Sequence, residues 1–380
     1  MPERPNGKLL AYHLGSALRN LGSIKVALTL LARNEEDILE ANLAYHFAAG
    51  VDLMIATDHR STDRTSEILD RYAQAGLVKV IREDAEQMRE AEWVTRMARI
   101  AAAEGADWVI NSAADEFWWP RGGTLKEVLA AVPEPYGALR AFIRNFVSRP
   151  EDDRSFFERM TFRLSPEAPI NDPTGMARPL PKVLHRASAQ VEVARGSHTL
   201  MAGGLVVLPG WSPIEVLHFA FRNAGQLAPK VQAHLEAFFE PGSQVGLGKH
   251  ARAFAAVGKG HTESHYAALT VDDEKVQQGI ANGSIIVDTR LRDALRSLQA
   301  DGSPSGFRPP EQLADALAFQ RPPTPDIVRY AVEAACFDEG DLVRARRSAD
   351  QLENRITAVE TSSLVKRALR TARRAMPASN

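Results

Sequence analysis

The chain has 380 residues, enough for one large domain or two ordinary ones, and its 44% hydrophobic and 25% charged content is that of a soluble globular protein. A formal net charge of −2 gives no electrostatic ground for nucleic acid as a main partner, and the single cysteine, Cys336, excludes an intramolecular disulfide and fits a reducing compartment. No apolar run approaches the ~20 residues of a membrane span, and the first residues lack a signal peptide's apolar core, so the expectation is a cytoplasmic chain.

From residue 24 onward, strand-like and helix-like segments alternate. "KVALTLLA" (25–32) is a β-branched and leucine-rich run, the pattern of a strand buried on both faces. "NEEDILEANLAYHFAAG" places acids first, then apolar residues at helical spacing, then Gly50 as a stop. "VDLMIATD" reads as a second strand, and "STDRTSEILDRYAQAG" as a second helix, capped by Ser61 or Thr62 and ended by Gly76. "LVKVI" is a third strand, residues 88–104 a third helix and "ADWVI" a fourth strand. Repeats of this length predict α/β architecture, with a sheet covered by helices on both faces.

After Pro120 the pattern changes. "YGALRAFIRNF", "ERMTFRLS", "KVLHRA" and "AQVEV" read as strands, interrupted by a Pro- and Asn-rich loop at 165–181 that is long for a compact domain. From about residue 223 the pattern is mostly helical, with "DGSPSGFRPPEQ" and "RPPTP" as linkers. The segment 362–376 carries five basic residues on an amphipathic pattern; it can lie on an anionic membrane as a peripheral contact, or pack on its own domain.

Ligands of open parallel sheets bind at the carboxyl ends of the strands. Three such ends carry polar clusters: "ARNEED", "TDHRSTD" and "NSAADEF". Taken singly, Asp37 serves as a first-turn helix acid, Ser61 or Thr62 as a cap and Asp58 as a turn former. Three clusters at one sheet edge ask for a shared explanation.

The stretches "LLARNEEDILEANLAYHFAAGVD", "IATDHRSTDRTSEIL", "ADWVINSAADEFWWP", "PKVLHRA", "GSHTL" and "EVLHFAFRNAGQLAPKV" resemble, in order and spacing, a bacterial branch of the family 2 glycosyltransferases. The resemblance covers roughly residues 25–232 and implies a GT-A nucleotide-diphospho-sugar transferase fold at 24–225. An N-terminal extension (1–23) precedes it and a mostly helical region (226–380) follows. It also implies a divalent cation, Mn²⁺ or Mg²⁺, a nucleotide-diphospho-sugar donor and a saccharide or lipid-linked acceptor, in inverting transfer to a hydroxyl for surface polysaccharide or glycoconjugate synthesis.

By that resemblance Asp115 is a direct metal ligand and Asp58 contacts the base and ribose, with Arg33, Asn34 and Glu35 lining the nucleotide pocket. His218 suits a third metal ligand, with His198 as the second choice, because a neutral imidazole is a common ligand. Arg222 and Lys230 suit cationic contacts to the diphosphate. An inverting transfer needs a carboxylate base near the acceptor hydroxyl; Glu158, Asp172 and Glu192 are candidates among which the sequence does not choose. Trp118 and Trp119 serve either as an apolar platform for a sugar or as core.

The chain departs from the family pattern at Ala113, where the metal motif has its first aspartate. Glu116 is expected to point away from Asp115, since adjacent residues of an extended chain face opposite sides, and so to fix the loop. The departure leaves a rival reading: a GT-A-fold binding or scaffold protein that no longer turns over. Nucleotidyl transfer is a weaker rival, because "LLARNEED" lacks the Gly- and Lys/Arg-rich composition of a triphosphate loop.

Overall fold

The computed structural model describes residues 24–121, 124–165, 181–208, 212–227, 230 and 262–299. Asp172, most of the 165–181 loop, Cys336, the extension 1–23 and the segment 362–376 lie outside the described residues.

The predicted alternation is observed. It runs β1 (Val26–Ala32), α1 (Leu39–Ala48), β2 (Leu53–His59), α2 (Thr65–Gln74), β3 (Val78–Glu83), α3 (Glu90–Ala103) and β4 (Trp108–Ala113). Strand side chains alternate between two apolar layers. Val26, Leu28 and Leu30 of β1 pack with Leu39, Leu43, Ile68 and Leu69 from α1 and α2, whereas Ala27 joins Ile55, Val109, Met97 and Ala98 beneath α3. Both faces of β1 are thus sealed, which is why its sequence reads as continuously apolar. Helix α1 stops where glycine was expected to stop it: Gly50 takes φ 101°, and the amide of Val51 donates back to the His46 carbonyl at 3.0 Å.

Beyond the turn at 114–115 come β5 (Glu116–Pro120), α4 (Leu125–Ala130), β6 (Ala138–Asn145), α5 (Phe156–Arg159), β7 (Phe162–Leu164), β8 (Pro181–Arg186), β9 (Glu192–Val193), β10 (Leu200–Ala202) and β11 (Ile214–His218). The main sheet has eight strands in the order β3-β2-β1-β4-β8-β6-β11-β5. Strands β3, β2, β1 and β4 are mutually parallel; β8 is antiparallel to β4 and β6, and β11 runs parallel to β6 but antiparallel to β5. A mixed sheet with helices on both faces is the GT-A architecture that the resemblance implied. "ERMTFRLS" differs from expectation: Glu158 and Arg159 close the short helix α5 and only Phe162–Leu164 is strand.

Within the mostly helical region, the described residues form α6 (Thr262–Leu269), α7 (Asp273–Ala281), β12 (Ile285–Val287) and α8 (Arg290–Leu298). Leu291, Leu295 and Leu298 of α8 belong to the same apolar cluster as β1 and α1, and β12 pairs with β7. A buried ionic chain fastens this segment to the sheet. Arg290 bonds Glu215 at 2.8 Å and Asp288 at 2.7 Å, while Arg144 reaches Glu215 at 2.7 Å and Arg163 reaches Asp288 at 2.8 Å. Among the described residues no helix is long and apolar enough to cross a membrane.

Candidate functional site

Sheet topology brings distant parts of the sequence to one edge. The carboxyl ends of β1, β2 and β4 lie there because those strands are parallel. So do the ends of β6 and β11, which share their direction, and the starts of the antiparallel β5 and β8. Arg33, Glu35, Ser112, Ala113, Asp115, Glu116, Lys182 and His218 therefore meet along a cleft of about 360 Å³, joined by Lys230 and by Glu90 at the start of α3.

The strand-end loops are tied to each other. Asn34 adopts a left-handed φ of 55°, which asparagine tolerates better than most residues. Its amide donates to Ser61 Oγ at 3.1 Å, and its Oδ1 accepts from the Thr62 amide at 2.7 Å. Ser61 and Thr62 are spent on this latch, so neither caps α2, whose first amide, Thr65 N–H, donates instead to Asp63 Oδ1 at 2.9 Å. The next amide, Glu35 N–H, donates to Thr65 Oγ1 at 2.8 Å. Asp58 is 3% exposed and does not line the cleft; it bonds Arg82, the Ser66 hydroxyl at 2.5 Å and the Ser61 amide at 3.3 Å.

At the cleft floor, ligand atoms of Asp115, Glu116 and His218 lie within 4.8 Å of one another. The expectation that Glu116 faces away from Asp115 is corrected here. Asp115 occupies the turn between β4 and β5, not an extended strand, so the alternation that would separate the two is broken. Glu116 also holds the turn, its Oε2 accepting from the Ala113 amide at 3.2 Å, while its Oε1 lies 2.7 Å from Lys182 Nζ.

His218 stands opposite Glu116 across β11–β5 and opposite Asn145 across β11–β6. Asn145 Oδ1 accepts from His218 Nδ1 at 2.8 Å, and Nε2 faces the cluster, 3.7 Å from Asp115 Oδ2. A hydrogen-bond acceptor on one ring nitrogen is the usual way a metal-binding imidazole is oriented through the other. Two carboxylates and one imidazole suit a hard-to-borderline divalent ion, so the donor set fits the implied Mn²⁺ or Mg²⁺. His198 is not part of this cluster; its Nδ1 bonds the Pro181 carbonyl at 2.7 Å, and burial, aided by Lys182, lowers its pKa.

The cleft's charges are balanced by cations. Lys230 Nζ donates to Asp115 Oδ2 and to the Ala220 carbonyl at 2.8 Å, and lies 3.6 Å from Glu35 Oε1. Burial alone would raise the Asp115 carboxyl, but the Lys230 ammonium, then His218 and Arg222, hold it well below the usual range. Burial pulls the Lys182 ammonium down, yet Glu116 more than reverses this, so it stays charged. For Glu35 burial wins: its pKa is raised despite Lys230 and Arg222.

Arg222 is not placed to touch a diphosphate. Its side chain is wholly buried, donating to Glu35, to Asp37 at 2.8 and 2.9 Å and to the Phe219 carbonyl at 3.0 Å. It clamps the "RNEED" loop beneath the cleft. Two of the base candidates stand elsewhere: Glu158 pairs with Arg296 at 2.7 Å, and exposed Glu192 lies 3.6 Å from Arg99. Trp118 is a core residue and Trp119 packs half-buried against the core. Trp118 is buried with its indole N–H on Ser112 Oγ at 3.0 Å, and Trp119 stacks on Tyr45 at 5.9 Å. Lys182 and Glu90, which line the cleft, were not singled out in the sequence.

No protein-family model matches the chain. No curated protein matches it. Solved structures similar to it include S. aureus TarS 1-349 in complex with UDP, at 13% identity and TM-score 0.33, covering 68% of this chain and 78% of that one. Glucosyl-3-phosphoglycerate synthase from Mycobacterium tuberculosis, in complex with Mn²⁺, UDP and glucosyl-3-phosphoglycerate, is similar at 21% identity and TM-score 0.25. That match covers 38% of this chain and 51% of the synthase, about half its length.

Proposed function

We propose that the chain is a divalent-cation-dependent glycosyltransferase that moves a sugar from a nucleotide-diphospho-sugar to an acceptor hydroxyl, with inversion, in surface polysaccharide or glycoconjugate synthesis. The observation that carries this is the convergence of Asp115, Glu116 and His218 within 4.8 Å, at a sheet edge that also presents Lys182 and Lys230. Such a set serves a reaction whose leaving group is a diphosphate.

Asp115 and His218 would hold Mn²⁺ or Mg²⁺, with Glu116 beside them; the ion would supply Lewis-acid neutralisation of the departing diphosphate. Arg33, Asn34 and Glu35 border the nucleotide, and Asp58 shapes the base and ribose end from one strand further along the edge. In the transfer, the acceptor oxygen forms its bond to the anomeric carbon as the bond to the diphosphate oxygen breaks, the electron pair leaving with the diphosphate. The acceptor's proton passes to a carboxylate. We assign that role to Glu90, a described acid that lines the cleft outside the ligand cluster, held by the Gly196 amide at 2.9 Å and Arg195 at 3.4 Å.

Titration calorimetry of UDP in the presence and absence of Mn²⁺ tests the reading. Asp115→Asn is expected to remove Mn²⁺-dependent affinity while the thermal transition stays within a few degrees of wild type; unchanged affinity removes Asp115 from the metal site. Glu90→Gln is expected to keep donor affinity and lower kcat.

The rival reading, a donor-binding protein without turnover, is favoured by Ala113, which puts a methyl group where the family pattern has a carboxylate. Released nucleoside diphosphate, measured over the common nucleotide sugars, decides between them: turnover excludes the rival.

A further inference from the structure

The ammonium of Lys230 occupies the position from which a cation would bind Asp115. It bonds the same carboxylate oxygen, Asp115 Oδ2, that faces His218 Nε2 at 3.7 Å, and it lies 3.6 Å from Glu35. A divalent ion taking that oxygen as a ligand would sit within a few ångströms of the ammonium, in a part-buried site where like charges are poorly screened. Both cannot hold Asp115 Oδ2 at once. Lysine is a compact charge on a flexible four-carbon stem, and this one is 24% exposed and lines the cleft, so it has somewhere to go.

We infer that Lys230 is an exchangeable counter-ion: it neutralises Asp115 in the empty protein, yields that carboxylate to the divalent cation, and turns to the diphosphate of the nucleotide. The inference rests on the metal-dependent reading above and adds a consequence to it. One side chain couples the two ligands. Metal alone must displace an ion pair and leaves the freed ammonium, among the described residues, only the Ala220 carbonyl and a Glu35 already bonded to Arg222, so it binds weakly. Metal with a nucleoside diphosphate gives the ammonium a new anionic partner, so each ligand tightens the other, and the coupling is reciprocal. Among the described residues Glu35 is the other carboxylate facing the ammonium, and its commitment to Arg222 keeps it from taking over the lysine.

The test is Mn²⁺ binding to the full chain, followed by the electron paramagnetic resonance signal of free Mn²⁺, with and without UDP, for wild type, Lys230→Met and Lys230→Arg. Lys230→Met removes the charge at similar volume and is expected to bind Mn²⁺ alone at least tenfold more tightly. UDP should then tighten Mn²⁺ binding less in this variant than in wild type. Lys230→Arg keeps a cation on Asp115 and should bind Mn²⁺ alone no better than wild type. Lys230→Gln carries the same expectation as the methionine variant if the latter does not fold. Wild type that binds Mn²⁺, with a methionine variant that binds it no tighter or shows undiminished coupling to UDP, overturns the counter-ion role and leaves the metal site standing. Absence of Mn²⁺ binding in every form, with or without UDP, overturns both.

Discussion

Replacing Arg222 by methionine gives the most direct test of how the cleft is supported. The side chain is 0% exposed and reaches three partners with its three nitrogens: Glu35, Asp37 and the Phe219 carbonyl. Methionine fills much of the volume but takes from Glu35, whose side chain is 11% exposed, its bonded partner, leaving it beside Asp37 with only Lys230, at 3.6 Å, as a nearby cation among the described residues. Breaking a buried ion pair from one side costs about 3–5 kcal/mol, because the remaining charge loses its partner without regaining water. With a urea slope of about 3 kcal/mol/M, the midpoint should fall by roughly 1–1.7 M. The deficit should also depend on pH in a definite direction. Burial already raises the Glu35 pKa, and without Arg222 it rises further. A group whose folded pKa is raised contributes its stability below the unfolded value and loses it as pH rises through the folded one. The variant's deficit should therefore grow from pH 5 to pH 8. Adding Glu35→Gln removes the stranded charge and should recover part of the loss. A midpoint shift below about 0.3 M, independent of pH, would mean that the acids are hydrated and that the loop does not depend on Arg222.

Ala113→Asp places a carboxylate on a residue that already lines the cleft, next to Asp115 and Glu116; it should tighten Mn²⁺ at least tenfold, about 1.4 kcal/mol, by calorimetry. Unchanged affinity there would mean that this position is not part of the ion's surroundings. His46 is buried, bonding Asn42 through Nδ1 and accepting the Trp118 amide through Nε2 at 3.1 Å, and burial lowers its pKa to about 3. Between pH 6.5 and 3 the unfolded chain binds a proton there that the folded one refuses, so stability drops as pH is lowered, by up to about 1.4 kcal/mol per unit. His46→Gln should make the acid limb of urea-denaturation stability shallower by one proton, and an unchanged slope would assign the acid sensitivity to other groups.

The α/β frame was legible in the sequence because its determinants are local. Strands buried on both faces announce themselves as unbroken apolar runs, and Gly50 and Gly76 end their helices with φ of 101° and 75°, values that other residues avoid. The helix cap was misread for the opposite reason. Ser61 and Thr62 are good caps by type, but their partner is Asn34, which the fold brings in from the preceding strand end.

The same distinction runs through the site. Asp115 and His218 stood out because each sits in an unusual local setting, an acid after an apolar run and a histidine at a strand end. Lys182 gave no signal: a single lysine in "PKVLHRA" has an ordinary setting, and its role comes from Glu116, reached only through strand order. Arg222 shows the reverse error. Its charge and position suggested a phosphate contact, but its chemistry was already claimed by two acids at the opposite end of the domain, Glu35 and Asp37. Charge pairing over such distances cannot be read along a chain, since any of the 48 acids could meet any of the 46 lysines and arginines. Only the sheet's parallel and antiparallel order decides which meet, and here it places the acids that follow β1 and β4 against the cations that follow β11.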